Sequence, residues 1–215
     1  MLRLISPTTT QGSIVILAIL YTIGVIGIGW PIHPDFALLT PLNLLFSLGL
    51  ILWHHRPKNV ALTFFLGICY LVGFGIEWLG VETGVIFGSY QYGPVLGWKF
   101  GHTPLMIGIN WVLLVYCTAS TLNHLAEDWH WLVKAFLGGL VMVSLDVLIE
   151  PVAIHFDFWY WEGNIVPIRN YVMWFVIAFP LLALAHKLLG AFQNKVAFAL
   201  LIMQFLFFAL LGIQW

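Results

Sequence analysis

Charged residues are scarce in this chain of 215 residues, where Lys, Arg, Asp and Glu together make up 8%. A soluble domain carries about 25% charged residues, so this chain cannot cover a water-facing surface. Its eight Lys and Arg are also too few for a nucleic-acid surface, and no nucleic-acid partner is expected. Apolar residues make up 61% of the sequence, which predicts an integral membrane protein in contact with membrane lipids.

The cysteines are few, and the histidines are not spaced as a metal site requires. Cys69 and Cys117 lie in apolar runs and form no C-x-x-C pair, so we expect buried free thiols and no disulfide framework. Among the eight histidines, His54-His55 stands alone, while His124 and His130 are six residues apart with no partner box. This spacing does not suit a membrane di-iron hydroxylase or desaturase, which needs several histidine boxes at helical spacing.

Several other motifs are missing from the sequence. It contains no phosphate loop, dinucleotide fingerprint or nucleophile elbow. One D-x-x-x-E motif with a single nearby arginine is too little for a prenyltransferase, which holds Mg²⁺ and diphosphate with two carboxylate clusters. The last apolar run has no lysine for a retinal Schiff base. The sequence therefore argues against each of these chemistries.

Seven apolar runs are present, each close to the roughly 20 residues that a spanning helix needs. The first run is long for a signal peptide and lacks a small-residue cleavage site, so we expect it to remain as a span that ends at Trp30-Pro31. Short connections predict one domain over residues 1–215, an all-α integral membrane protein with about seven transmembrane helices. The runs cover residues 12–29, 36–53, 60–80, 104–122, 131–150, 170–187 and 196–213.

The positions of the basic residues predict the orientation in the membrane, because Lys and Arg are enriched in cytoplasmic loops. With seven spans, six of the eight basic residues lie on the side of the N-terminus. We therefore expect a multi-pass protein of the inner (cytoplasmic) membrane, with the N-terminus in the cytoplasm and the C-terminus outside. The six are Arg3, Arg56, Lys58, Lys134, Lys187 and Lys195, and the other two are Lys99 and Arg169.

Two long connections fall on the outer side of this arrangement, at residues 81–103 and 152–169. Both are rich in aromatic residues and glycine and poor in charge. Irregular backbone at membrane depth is tolerated only where it is buried in protein or lines a cavity. We therefore expect both segments to fold back into the bundle.

Acidic residues inside the predicted spans are the strongest indication of function, because an ionisable group in hydrocarbon is costly. Asp146 and Glu150 are four residues apart and share one face of a helix. Pro151 is expected to end that helix, since the residue before a proline avoids the α region. Glu77 lies towards the same outer end. Further polar candidates there are Glu82, Asn110, His155, Arg169 and Asn170, and the aromatic candidates are Trp78, Tyr90, Tyr92, Trp111, Trp159, Tyr160, Trp161 and Trp174.

A carboxyl group that loses its hydration favours the protonated form, which is a strong general acid when no water competes for its proton. In a membrane, an isolated alkene is the obvious acceptor of that proton. Protonation of a trisubstituted double bond gives a tertiary cation, which aromatic faces stabilise by roughly 2 kcal/mol each when desolvated. Capture by water gives an alcohol, capture by another alkene gives a ring, and loss of a proton gives an isomer.

Simpler interpretations exist for each group. Asp146 and Glu150 can form an ion pair with Arg169. Glu77 and Glu82 can reach the interface from a helix end, and Asn110 can join two helices by a hydrogen bond.

Several separated motifs resemble the membrane carotenoid 1,2-hydratases of bacteria and archaea. They are GVIFGSYQYGPVLG at residues 84–97, then Pro104 and Trp111, then D-x-x-x-E-P-V-A from Asp146, and finally Trp159-x-Trp161, Pro167, Asn170 and Trp174. The resemblance covers roughly residues 60–185. The first two spans and the last carry no recognisable signature.

The resemblance implies water addition across the terminal C1=C2 bond of an acyclic ψ end group, with neither an organic cofactor nor a metal. The substrate would be a lipid-soluble carotenoid of the lycopene or γ-carotene type, and association with other carotenoid enzymes is expected. It implies site positions at Glu77, Tyr90, Tyr92, Trp111, Asp146, Glu150, Trp159, Trp161 and Asn170. We predict Asp146 or Glu150 as the proton donor, with Glu77 holding water or stabilising the cation.

Two other functions remain open on the sequence. A carotenoid cyclase would use the same protonation and a different capture step. A proton-coupled transporter would use the acids as a relay, but it predicts acids in the inner half of the spans, where the sequence has none.

Overall fold

The computed structural model describes residues 9–30, 33 and 35–213 and contains seven helices in this part of the chain. All seven are long and apolar enough to span a membrane. The second is extended at its start by a 3-10 turn at Phe36–Leu39. The predicted all-α bundle is therefore confirmed, and the protein is a multi-pass membrane protein. The helices are α1 Thr10–Gly29, α2 Thr40–His54, α3 Val60–Thr83, α4 Met106–Leu125, α5 Trp131–His155, α6 Ile168–Leu189 and α7 Lys195–Gly212.

Local capping sets the helix ends. The side chains of Thr9, Asn59 and Asn194 accept hydrogen bonds from the first turns of α1, α3 and α7. Gly84 ends α3 in the left-handed conformation, with a φ of 66°. Because capping rather than hydropathy decides these ends, α3 runs three residues beyond the expected residue 80. Pro31, expected to follow the first span, and Arg3, part of the charge bias, lie outside the described residues.

The predicted break at Pro151 is wrong, because α5 continues through this proline to His155. Passing through a proline loses one backbone hydrogen bond. Ending the helix at Glu150 would instead leave several backbone groups without partners at membrane depth, where each costs several kcal/mol. The residues after Pro151 add one further turn to α5, and the chain turns back towards β4 after His155.

α4 forms the centre of the bundle. Every residue from 111 to 123 is buried, and α2, α3, α5, α6 and α7 all pack against this helix. Glycine allows α3 to approach closely, since a Cβ on Gly73 would lie 2.5 Å from the Cβ of Trp111. Gly73 and Glu77 lie one turn apart on the same face of α3. The contact at Gly73 therefore places Trp111 of α4 close to Glu77.

Both long connections fold back over one end of the bundle, as predicted. We call this the strand end; α1, α3, α5 and α7 finish there. Strand β1 (Tyr90–Tyr92) pairs antiparallel with β4 (Trp159–Trp161), so that Tyr90 lies opposite Trp161 and Tyr92 opposite Trp159. Between them, β2 (Lys99–Phe100) and β3 (Thr103–Pro104) form a second small hairpin. The sequence interpretation did not include these strands.

Candidate active site

Glu77 is buried on α3 and accepts three hydrogen bonds. The hydroxyls of Tyr90 and Tyr92 donate to its Oε2 at 2.5 and 2.8 Å. The indole N–H of Trp111 donates to Oε1 at 3.0 Å. Since a carboxylate can only accept, three donors match an ionised Glu77.

Glu150 is buried on α5 and is bonded in the same manner. The indole N–H groups of Trp159 and Trp161 donate to its Oε2 at 2.9 and 2.8 Å. The amide of Asn170, in the first turn of α6, donates to Oε1 at 3.2 Å. One strand pair therefore supplies two donors to each glutamate, Tyr90 and Tyr92 from β1 and the two tryptophans from β4.

Asp146 differs from both glutamates. It is fully buried, and it accepts one hydrogen bond, from Asn170 Nδ2 to Oδ2 at 2.7 Å. Within the described residues its Oδ1 has no partner. Asn170 thus bridges Asp146 and Glu150, and all three carboxyl groups interact electrostatically. Of the three acids, Asp146 is the one with an oxygen free to carry a proton.

The donors form an interlocked aromatic layer. The ring centroids of Tyr90 and Trp161 are 4.9 Å apart, and those of Tyr92 and Trp159 are 5.9 Å apart. Below them, Trp111 stacks on Trp174 at 4.7 Å. Each of the five donor rings is therefore held by a neighbouring ring as well as by its hydrogen bond, which fixes the direction of the donors.

The two tyrosines remain protonated donors over a wide pH range. Burial, and after it the nearby Glu77 carboxylate, raises the pKa of both Tyr90 and Tyr92 well above the ordinary value of tyrosine. Strand alternation explains their inward direction, because residues two apart share a face. Gln91, between the two tyrosines of β1, and Tyr160, between the two tryptophans of β4, point outward and are exposed. Tyr160, expected in the aromatic wall, is therefore outside it, and so is the exposed Trp78.

A largely apolar cavity of about 550 Å³ lies beside this layer. Trp159 lines it, as do Ile149 and Asn110, the sequence neighbours of Glu150 and Trp111. None of the three acids is itself a lining residue, and the cavity approaches them through these neighbours. Ile23 of α1 and Leu42 of α2 are lining residues that are also exposed, so the cavity opens sideways towards lipid between these helices.

A second cavity, of about 560 Å³ and mostly polar, lies at the strand end. Its wall includes Tyr90 and Trp161, which are bonded to Glu77 and Glu150, together with the acidic residues Glu82 and Glu162. The acid cluster thus has an apolar cavity on one side and a polar cavity on another.

Three predicted site residues take no part in the aromatic layer. Glu82 pairs with the exposed His102 at 2.9 Å. Arg169 is exposed and donates to the carbonyl of Gly84 at 3.0 Å, and among the described residues no ion pair joins it to either acid of α5. His155 is exposed at the end of α5, where its ring contacts Phe156. The ion-pair interpretation of Asp146 and Glu150 is therefore wrong.

The structure also brings in residues that sequence reasoning left out. Much of the apolar cavity is lined by α1, α2 and α7, including Tyr21, Asn43 and Gln204. These helices carry no recognisable motif. An isolated polar residue inside an apolar run could have indicated that these helices contribute to the site. Gln204 is the one such residue in the last run.

The family described as "Carotenoid biosynthesis protein" matches residues 40–214. The match covers the acid cluster, both strands of the β1–β4 pair and six of the seven helices. Neither the curated proteins nor the solved structures gave a match.

Proposed function

Because this chain belongs to the carotenoid biosynthesis protein family, we propose that it is a cofactor-independent carotenoid 1,2-hydratase. Family membership assigns it a role in carotenoid biosynthesis. The proposed reaction adds water across the terminal C1=C2 bond of an acyclic ψ end group and gives a 1-hydroxy carotenoid. The observation that carries this proposal is the buried Asp146, whose Oδ1 has no partner among the described residues, in a cluster beside an apolar cavity.

Asp146 is the proposed proton donor. In its protonated form it gives its proton to C2 of the double bond, and the π electrons form the new C–H bond. A tertiary cation remains at C1. The negative charges of Glu77 and Glu150, each held by three donors, stabilise that cation without being consumed.

Water completes the reaction. A lone pair of its oxygen forms the C1–O bond, and the proton that it loses restores the protonated acid. The sum is one alkene and one water giving one tertiary alcohol, so neither oxidant nor metal enters the balance. Trp159 lies between Glu150 and the cavity, and its ring face can stabilise the cation as it forms.

The apolar cavity is the proposed substrate site. Its volume lies within the range of about 300–1,000 Å³ usual for small-molecule sites. The sideways opening between α1 and α2 admits a lipid-soluble chain directly from the membrane. The polar cavity behind Tyr90 and Trp161 offers solvent protons a route back to the acids.

Expression in a lycopene-producing bacterium is expected to convert lycopene into a product heavier by one water per reacted end. Liquid chromatography with mass spectrometry checks this, with cells carrying the empty vector as the control. Growth in H₂¹⁸O should place the label in the new hydroxyl. An isomer without mass gain would favour the cyclase instead, and unchanged lycopene or γ-carotene beside folded membrane protein would contradict both.

We also propose that the N-terminus is cytoplasmic, since Lys and Arg concentrate at the end of the bundle opposite the strand end. Alkaline phosphatase, which is active only outside the cytoplasm, is expected to be active when fused after Ile213. A fusion placed after Lys58 is the matched control and is expected to be inactive. The opposite pair of activities would reverse the orientation.

A further inference from the structure

Three polar side chains from three different helices meet in the wall of the apolar cavity. They are Tyr21 of α1, Asn43 of α2 and Gln204 of α7. Both amide side chains approach the Tyr21 hydroxyl, as does Ser47 of α2. We call Tyr21, Asn43 and Gln204 the amide cluster. The proposed acid–base chemistry makes no use of it.

The amide cluster is not fully paired within the protein. Among the described residues, Asn43 Oδ1 and Gln204 Oε1 are buried without a hydrogen-bond partner, and Gln204 as a whole is 4% exposed. Polar residues that only join membrane helices satisfy one another across the interface. Here two amide oxygens stay unsatisfied beside a cavity, and an unsatisfied buried acceptor is costly. Such acceptors suit a small ligand that donates O–H groups.

The amide cluster lies at nearly the same depth as the proposed donor. Tyr21 and Gln204 each precede the strand-end terminus of their helix by eight residues, about 12 Å. Asp146 precedes the end of α5 by nine residues, about 13 Å. A double bond at this depth in the cavity therefore has the acids behind the α4–α5 wall and the amide cluster in the wall formed by α1, α2 and α7.

We propose that the amide cluster binds the water molecule that captures the cation. This inference rests on the proposed hydration. The amide oxygens accept the O–H groups of the water and leave an oxygen lone pair directed at C1. That lone pair forms the C–O bond, and the proton released restores the protonated acid. The substrate is thus held between a proton donor and a nucleophile that approach from different helices.

The variants Gln204→Leu and Asn43→Leu test the proposal in the lycopene-producing strain. Each is expected to lower the hydrated product at least tenfold. Cation formation continues, so isomers without added water should rise, and in D₂O these isomers should carry one deuterium. Because leucine replaces a side chain whose buried oxygen is unsatisfied, both variants should unfold in detergent close to the wild-type temperature. A fall in hydrated product, while protonation of the carotenoid and the thermal stability of the protein are retained, indicates that the amide cluster binds water. A purely structural contact would not change the products in this way.

Thr22→Val is the matched control, because the exposed Thr22 bonds to the carbonyl of Ala18 on its own helix. It should leave the product ratio unchanged. If a leucine variant does not accumulate, Tyr21→Phe, which removes one hydroxyl, gives the deciding ratio. An unchanged ratio of hydrated product to isomer overturns the inference, and so does an equal fall of hydrated and deuterated products. A wild type that forms no hydrated carotenoid refutes the hydratase itself, which is a separate result.

Discussion

Replacing Asp146 with Asn is expected to lower carotenoid hydration at least a hundredfold. A positioned general acid contributes about 10²–10⁴ in rate, and an amide cannot supply the proton. The side chain keeps its shape, and its oxygen can still accept the hydrogen bond from Asn170, which spans 2.7 Å in the wild type. The measurement is the hydrated fraction of total carotenoid, normalised to the protein present in the membrane.

Glu150→Gln is the comparison that tests the choice of donor. Its retained oxygen can still accept both indole N–H groups, so hydration should fall by a smaller factor than in Asp146→Asn. Ser144→Ala is the matched control on the same helix, since the exposed Ser144 bonds to the carbonyl of Val141; it should behave as wild type. If Asp146→Asn stays active while Glu150→Gln does not, the donor is Glu150.

Gly93→Ala is expected to damage the site through its backbone. A Cβ at Gly93 would lie 1.9 Å from the carbonyl oxygen of Asp157, and the Gly93 N–H donates to Phe158 at 2.8 Å. Backbone atoms cannot yield as a side chain can, so the β1–β4 pair must separate. The cost is about 2–4 kcal/mol, or a fall in unfolding temperature on the order of 10 °C. Hydration should fall at least tenfold, because the strands carry four of the donors to Glu77 and Glu150.

Gly75→Ala provides the control for this effect. Gly75 lies on α3, two residues before Glu77, and a Cβ there meets nothing within 4 Å. It should leave activity unchanged and stability equal or slightly higher, because Ala favours the helix by up to about 1 kcal/mol. Thermal unfolding in detergent and carotenoid profiles measure both variants. Equal behaviour of the two would mean that the strand pair does not position the acids.

Much of the architecture could be predicted from the sequence. Apolar runs of fixed length indicate spans because hydrocarbon thickness and backbone hydrogen bonding act locally. Counting the spans places Glu77, Asp146 and Glu150 at one end of the bundle, and the four-residue spacing places the last two on one helix face. The aromatic composition of residues 81–103 and 152–169 predicted that they fold back. Alternation in Tyr-Gln-Tyr and Trp-Tyr-Trp could also have indicated two strands.

Other features depended on the tertiary structure. The pairing of each acid with its donors follows from the β1–β4 register, which joins segments about 70 residues apart. Arg169 bonds to Gly84 rather than to an acid because the fold brings that carbonyl near it. The helix passes through Pro151 because the alternatives leave more backbone groups unpaired in the membrane. Tyr21, Asn43 and Gln204 meet through helix packing alone.

The sequence by itself determined that the protein spans the membrane seven times and buries three acids near one end, since length, hydropathy and helical spacing are properties of neighbouring residues. Only the tertiary structure decided that, among the described residues, Oδ1 of Asp146 has no partner and that an apolar cavity lies beside the aromatic layer around the acids. Both features depend on residues far apart in the chain. Their packing decides which hydrogen-bond donors reach which acid and how much space is left between the helices.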